Sequence, residues 1–337
     1  MAHVILGLSG GVDSAVCAAL LKRAGHTVTG LYLENGVSET GARDAAEVAD
    51  RLGIPLEVLD IRRELEEKVC APFEAAYRAG RTPNPCILCN PTVKFKALLA
   101  CADRLGAECI ATGHYARTRD GALYKGQPSN DQSYMLCRLT REQVRRLVLP
   151  LGDYEKTAVR AMAEDFGIPV AHKPDSMEIC FIPDKDYAGW MARRAPLPGP
   201  GDFVLEGEVI GQHEGLCRYT IGQRRPGLYE GRKLYVSRID AARNVIELAL
   251  WEELFRTEVF ARDFNWLIDP PAAPVRASVR VRHTKWENPA CTAVIEGDLV
   301  RITCDEPVRA PAPGQSAVLY DGDRVLGGGF IVAPLPK

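Results

Sequence analysis

Apolar positions in the first third of the chain fall into short runs that alternate with stretches of helical period. The runs 4–8, 28–33, 56–59 and 109–112 read as strands buried on both faces, and the stretches 13–24, 42–52 and 94–105 read as helices. Strand and helix in alternation predict a parallel α/β sheet. Ligands of such sheets collect at the carboxyl ends of the strands. There the turn after 4–8, the turn at Leu33 and the turn at Gly113-His114 would converge.

The pattern changes after a Pro/Gly cluster at 196–201, whose residues favour linkers over helix. Short β-like runs at 207–211, 233–239 and 245–250 predict a small β-rich middle domain. Further runs at 276–282, 291–295, 299–304, 316–320 and 325–332, after the Pro270-Pro271 turn, predict a C-terminal β-barrel. The expected domains are 1–198, 199–260 and 261–337, in keeping with 337 residues as two or three domains.

Composition narrows the picture only locally. A formal charge of −2 gives no global pull towards nucleic acid, but between Arg218 and Arg243 seven Lys/Arg stand against two acids, and from Arg276 to Lys285 four bases stand against none. Eleven cysteines with no apolar leader before the first strand predict a reducing, cytoplasmic setting. No run of about twenty apolar residues predicts a membrane span. Cys17, Cys101, Cys109 and Cys137 lie among apolar neighbours and read as core residues; Cys86, Cys89 and Cys180 do not.

Two motifs carry chemistry. Gly7-Leu8-Ser9-Gly10-Gly11-Val12-Asp13-Ser14 follows the first strand and opens the first helix. Adjacent glycines let backbone N–H groups approach an anion, and the helix N-terminus favours a phosphate. The motif lacks the ending of a Walker loop and the spacing of a dinucleotide fingerprint. Asp13 suits either a helix cap or a magnesium ion. The second motif, Pro85-Cys86-Ile87-Leu88-Cys89, spaces two thiols for one centre, as a zinc half-site, a redox pair or a coincidence. A loop leading into a helix N-terminus would favour thiolate. Cys180 is the natural third member.

The Gly7 to Ser14 segment resembles the PP-loop of the ATP pyrophosphatases, which points to an adenine nucleotide alpha hydrolase-like first domain. With Thr82 to Phe95, Ala111 to Arg117, Asp131-Gln132-Ser133-Tyr134, Pro150-Leu151-Gly152, Asp175 to Ile182, Tyr219 to Arg225, Pro313-Gly314-Gln315 and Gly327-Gly328-Gly329, the whole chain resembles the MnmA family of tRNA-specific 2-thiouridylases. The resemblance implies ATP-dependent replacement of the wobble uridine 2-oxygen by sulfur in tRNAs for Lys, Glu and Gln. A PP-loop ligase of the argininosuccinate or asparagine synthetase type is the alternative within enzymes, but it needs neither three thiols nor two β-rich appendages.

The resemblance implies roles residue by residue. Gly7, Leu8, Ser9, Gly10, Gly11, Val12, Asp13 and Ser14 would hold the phosphates of ATP, with Mg2+, and Leu33 and Gly113 would contact the adenosine. Cys180 would carry a persulfide that Cys89 resolves, leaving a Cys89–Cys180 disulfide. Alternatively Cys86, Cys89 and Cys180 would hold a 4Fe-4S cluster with one iron open to sulfide. This chain departs from the family pattern at Cys86, where many members carry Asp, and at Met177-Glu178. Asn130, Asp131 and Gln132 would meet the tRNA anticodon stem-loop, and Arg224, Arg225, Arg280 and Arg282 its phosphates. A sulfur donor protein or free sulfide completes the expected partners.

Overall fold

The computed structural model describes residues 1–38, 40–174, 179–283 and 288–333. They form two compact units. The first comprises Met1–Val69, Cys86–Pro183 and Asp323–Leu326, and the second comprises Cys70–Pro85, Asp184–Gly322 and Gly327–Lys337. Among the described residues no helix is long and apolar enough to cross a membrane.

The first unit is built on the parallel sheet that the apolar runs predict. Its strands are β1 (His3–Gly7), β2 (Thr27–Glu34), β3 (Leu56–Asp60), β4 (Cys109–Ala111) and β7 (Leu147–Val148), in the order β3-β2-β1-β4-β7. Val4, Ile5 and Leu6 of β1 are fully buried because helices cover both faces of the central strand. The helix Val12–Arg23 lies in that core, with Val12, Ala15, Val16, Cys17, Ala18 and Leu21 all buried. The helix Lys156–Asp165 adds Val159 and Ala163 to the same cluster. β1 pairs with β2 on one side and β4 on the other, so the strand order reverses at β1. The crevice at a reversal of this kind is where open α/β sheets take their ligands.

A hairpin of β5 (Ala116–Arg119) and β6 (Ala122–Lys125) also belongs to this unit and does not follow from helical or parallel-strand patterning. Its turn residues Asp120 and Gly121 have φ of 51° and 70°, as a type I′ hairpin turn requires.

The second unit holds two β structures. The first is a sheet in the order β10-β11-β8-β9, made of β8 (Gly201–Leu205), β9 (Glu208–His213), β10 (Tyr235–Asp240) and β11 (Val245–Ala249). The second is a ring of β12 (Phe255–Trp266), β15 (Leu299–Arg309), β14 (Ala290–Glu296), β13 (Val275–Arg280), β16 (Ser316–Asp321) and β17 (Arg324–Val332, which belongs to this unit from Gly327 onward), closed by pairing of β12 with β17. This is the expected barrel with one correction. Its first strand begins at Phe255 and runs across the expected 260/261 boundary. Register shifts at Arg256/Glu258 and Arg262/Asn265 break the alternation of β12, which hides it from a period-two reading.

Before the thiol motif, the helix Ala71–Arg78 packs on Tyr187–Arg194 through Phe73 against Trp190 and Tyr77 stacked on Tyr187, with centroids 6.0 Å and 4.9 Å apart. Thr82 donates its N–H to the Pro313 carbonyl at 2.8 Å and accepts from Gln315 Nε2 at 2.9 Å. The Pro313-Gly314-Gln315 motif thus anchors the backbone that leads into the cysteines.

Candidate active site

The Gly-rich loop is shaped by its own backbone. Gly10 has φ of +71°, and a Cβ there would stand 2.9 Å from the Ala45 nitrogen and the Gly41 carbonyl oxygen. Only glycine fits both the conformation and the space. Gly113 at the end of β4 approaches just as closely, since a Cβ would lie 3.0 Å from the Ser14 nitrogen. Ser9 N–H donates to Ser14 Oγ at 3.2 Å, the two hydroxyls share a 3.2 Å bond, and Ser14 Oγ donates to the Gly11 carbonyl at 3.0 Å. The N–H groups of Gly10, Gly11 and Val12 donate to no acceptor among the described residues. These donors at the start of a helix make a cradle for an anion. Leu33 lies at the carboxyl end of β2, beside β1.

Asp13 has other partners than a metal. Lys156 Nζ lies 2.6 Å from both carboxylate oxygens, and the Tyr115 hydroxyl donates to one of them at 2.7 Å. Lys173 Nζ bonds Asp44 at 2.5 Å and the Gly10 carbonyl at 3.2 Å. Ion pairing with Lys173 holds the Asp44 carboxyl below its ordinary range. Both carboxylates beside the loop are thus paired with lysines. Neither Lys156 nor Lys173 follows from sequence patterning as a partner of the loop. The available signal was a cation on the first residue of a helix, against the macrodipole.

Pro85 opens the one-turn helix Pro85–Cys89, and a five-residue π-helical segment, Asn90–Lys94, follows it. Asn90 Nδ2 donates to the Met135 carbonyl and Gln143 Nε2 to the Pro91 carbonyl, each at 2.8 Å, so the turn is held from behind. Cys86 is exposed and Cys89 half-buried. Burial pushes the Cys89 thiol up to about 11; the Lys94 charge opposes the rise, and Cys180 and Cys86 add to it. Cys180 is exposed as a residue, yet enough protein surrounds its sulfur that desolvation raises it too, against Lys94. The three thiols therefore lie close enough for charge on one to be felt at another. Cys86 and Cys89 lie in the first turn of the continuous helical stretch 85–105, as the thiolate expectation requires, but at Cys89 burial outweighs that help. Among the described residues no group of three His, Cys, Asp or Glu side chains is placed to hold a metal ion, so the expected 4Fe-4S cluster on Cys86, Cys89 and Cys180 is not supported. Of the surrounding motif, 175–178 lies outside the described residues.

His114 stands next to this site. Its Nδ1 shares a 2.7 Å hydrogen bond with Thr112 Oγ1, and burial, assisted by Lys94, holds its pKa well below the ordinary value. It is a neutral imidazole at physiological pH.

The expected RNA contacts separate on placement. Asp131 is corrected: it is buried, and its carboxylate accepts from Gly126 N–H, Ser133 N–H and Ser133 Oγ at 2.9–3.0 Å. Asn130 accepts from the Lys156 N–H at 2.8 Å through its amide oxygen. Gln132 accepts from the Tyr115 N–H at 3.0 Å through Oε1. Arg282 is corrected as well, because its guanidinium donates to the Ile221 and Ala310 carbonyls at 2.5–3.1 Å. Arg280 donates to Asn288 Oδ1 at 3.1 Å and Arg225 lies 5.2 Å over the Phe203 ring, while Arg224 is exposed.

With this geometry in view, the chain matches three family models: a tRNA methyl transferase HUP domain over 2–184, a tRNA methyl transferase PRC-barrel domain over 195–249, and an aminomethyltransferase beta-barrel domain over 256–331. It is 44% identical over 345 residues to the tRNA-specific 2-thiouridylase MnmA of Syntrophotalea carbinolica, with 98% of each chain covered. To the protein of that name from Cupriavidus metallidurans it is 42% identical over 355 residues, covering 98% of this chain and 99% of the relative. The protein of that name from Clostridioides difficile is 39% identical over 351 residues, with 97% of each covered. A phosphate cradle and a thiol cluster within one unit, matched nearly end to end by such relatives, lead to one conclusion: the chain belongs to the MnmA family of tRNA-specific 2-thiouridylases, a family of tRNA sulfurtransferases.

Proposed function

We propose that the chain thiolates the 2-position of the wobble uridine in tRNAs for Lys, Glu and Gln, using ATP as its magnesium complex. The observation that supports this reading best is the presence, in one compact unit, of open N–H donors at Gly10, Gly11 and Val12 and of coupled thiols at Cys89 and Cys180.

Uridine O2 is a poor leaving group and must be activated first. O2 attacks the α-phosphorus of ATP, the bond to the bridging oxygen breaks, and pyrophosphate leaves while an O2-adenylated base remains. The loop amides stabilise the charge that develops on the departing phosphates. A persulfide on Cys180, loaded by a sulfur donor protein or by free sulfide with an oxidant, supplies the nucleophile. Its terminal sulfur bonds to C2 and AMP leaves with the C2–O electron pair. Cys89, as thiolate, then attacks the Cys180 sulfur. The persulfide S–S bond breaks, 2-thiouridine departs, and a Cys89–Cys180 disulfide awaits reduction by a thiol. Neutral His114 leaves the Lys94 charge as the local support for thiolate. The anticodon stem-loop must present its base unstacked, and we assign its contacts to Arg224 and Gln132.

The test is Cys180→Ala. The variant is expected to form no 2-thiouridine while tRNA-dependent pyrophosphate release continues; full thiolation by it would sink the assignment.

A further inference from the structure

A cleaved triphosphate leaves a polyanion in the loop, and open amides alone do not balance its charge. Two ammonium groups stand beside those amides, each from a distant part of the chain. Lys156 Nζ is bound by both oxygens of Asp13, the second residue of the helix that the loop opens, and Lys173 Nζ touches the loop backbone itself at the Gly10 carbonyl. As first residue of the helix Lys156–Asp165, Lys156 sets its positive charge at the positive end of a helix dipole. That placement is unfavourable for the helix alone; Asp13 offsets it here, and a phosphate would offset it in the same way. The pairs with Asp13 and Asp44 leave the cluster neutral before nucleotide arrives, and both lysines are partly exposed, at 23% and 35% of their side-chain surface.

We propose that Lys156 and Lys173 are the cations that grip the β- and γ-phosphates of ATP and then the released pyrophosphate, with Asp13 and Asp44 as positioning counter-ions that hold them ready. Asp13 acts through Lys156, steadied by the Tyr115 hydroxyl, rather than through the reacting atoms. The proposal rests on the reading of the loop as an ATP site.

The experiment compares the binding of ATP, AMP and inorganic pyrophosphate, each with magnesium, to wild type, Lys156→Gln, Lys156→Arg and Lys173→Gln by titration calorimetry. Loss of a charge-assisted phosphate contact predicts at least about a tenfold loss of affinity for ATP and pyrophosphate in the Gln variants. AMP affinity is expected to stay unchanged, and Lys156→Arg to recover part of the loss. Equal loss for ATP and AMP, or no loss for either in folded variants, would overturn the proposal while leaving the nucleotide site standing. A wild-type protein that binds neither nucleotide would overturn the ATP-site reading and the proposal together.

Discussion

Residue by residue, burial decides what each polar group is free to do. Asp131 accepts three hydrogen bonds inside the protein, so Asp131→Ala strands the Gly126 and Ser133 donors and should lower unfolding free energy by at least about 2 kcal/mol in urea titrations. A midpoint unchanged from wild type would return Asp131 to the surface role that its sequence context suggests. Cys89 behaves likewise. Its folded pKa of about 11 lies above that of an unfolded thiol, so the protonated form is favoured by folding, and this contribution to stability fades as pH climbs from about 8.5 towards 11. Carboxymethylation of Cys89, followed by peptide mass spectrometry, should keep accelerating by about tenfold per pH unit past pH 9; a plateau near 8.5 would contradict the burial. Asp13 and the thiols were legible because short motifs carry them. Lys156 was not, since it meets Asp13 across 143 residues of chain and only the fold joins them.

For elements, legibility follows the regularity of burial. The strands β1, β2 and β4 could be read from the sequence to within a residue or so because burial on both faces leaves nearly unbroken apolar runs, and the exposed outer strand β3 was legible from its Leu56, Val58 and Leu59 alone. β12 escaped because its bulges move side chains off the alternating pattern, and charged Arg256, Glu258 and Arg262 then read as loop. The β5–β6 hairpin also escaped, although Asp120-Gly121 is the dipeptide that a two-residue turn selects. That turn makes a prediction of its own. With φ of +70° and the Arg145 side chain 3.1 Å from where a Cβ would stand, Gly121→Ala should cost about 1 kcal/mol in urea unfolding. An unaltered midpoint would mean that the turn does not need its left-handed residue.

For the molecule as a whole, the formal charge of −2 means that any hold on tRNA comes from local cations. Tightness of binding should therefore fall steeply with salt. Arg224→Ala should flatten the slope of log affinity against log salt by about 0.9, to a similar degree for every tRNA tested. An identical slope would remove Arg224 from the phosphate contacts. The barrel and the parallel sheet also differ in how they end. The barrel closes on itself through β12 and β17, whereas in the parallel sheet β3 is the outermost strand, with Val58 and Leu59 at 58% and 41% exposure. A ring offers neighbours no unsatisfied backbone, but an outer strand with apolar side chains is a template on which another chain can add. In a crowded or heat-stressed sample, aggregation should accordingly start at the rim of the nucleotide-binding sheet and spare the barrel.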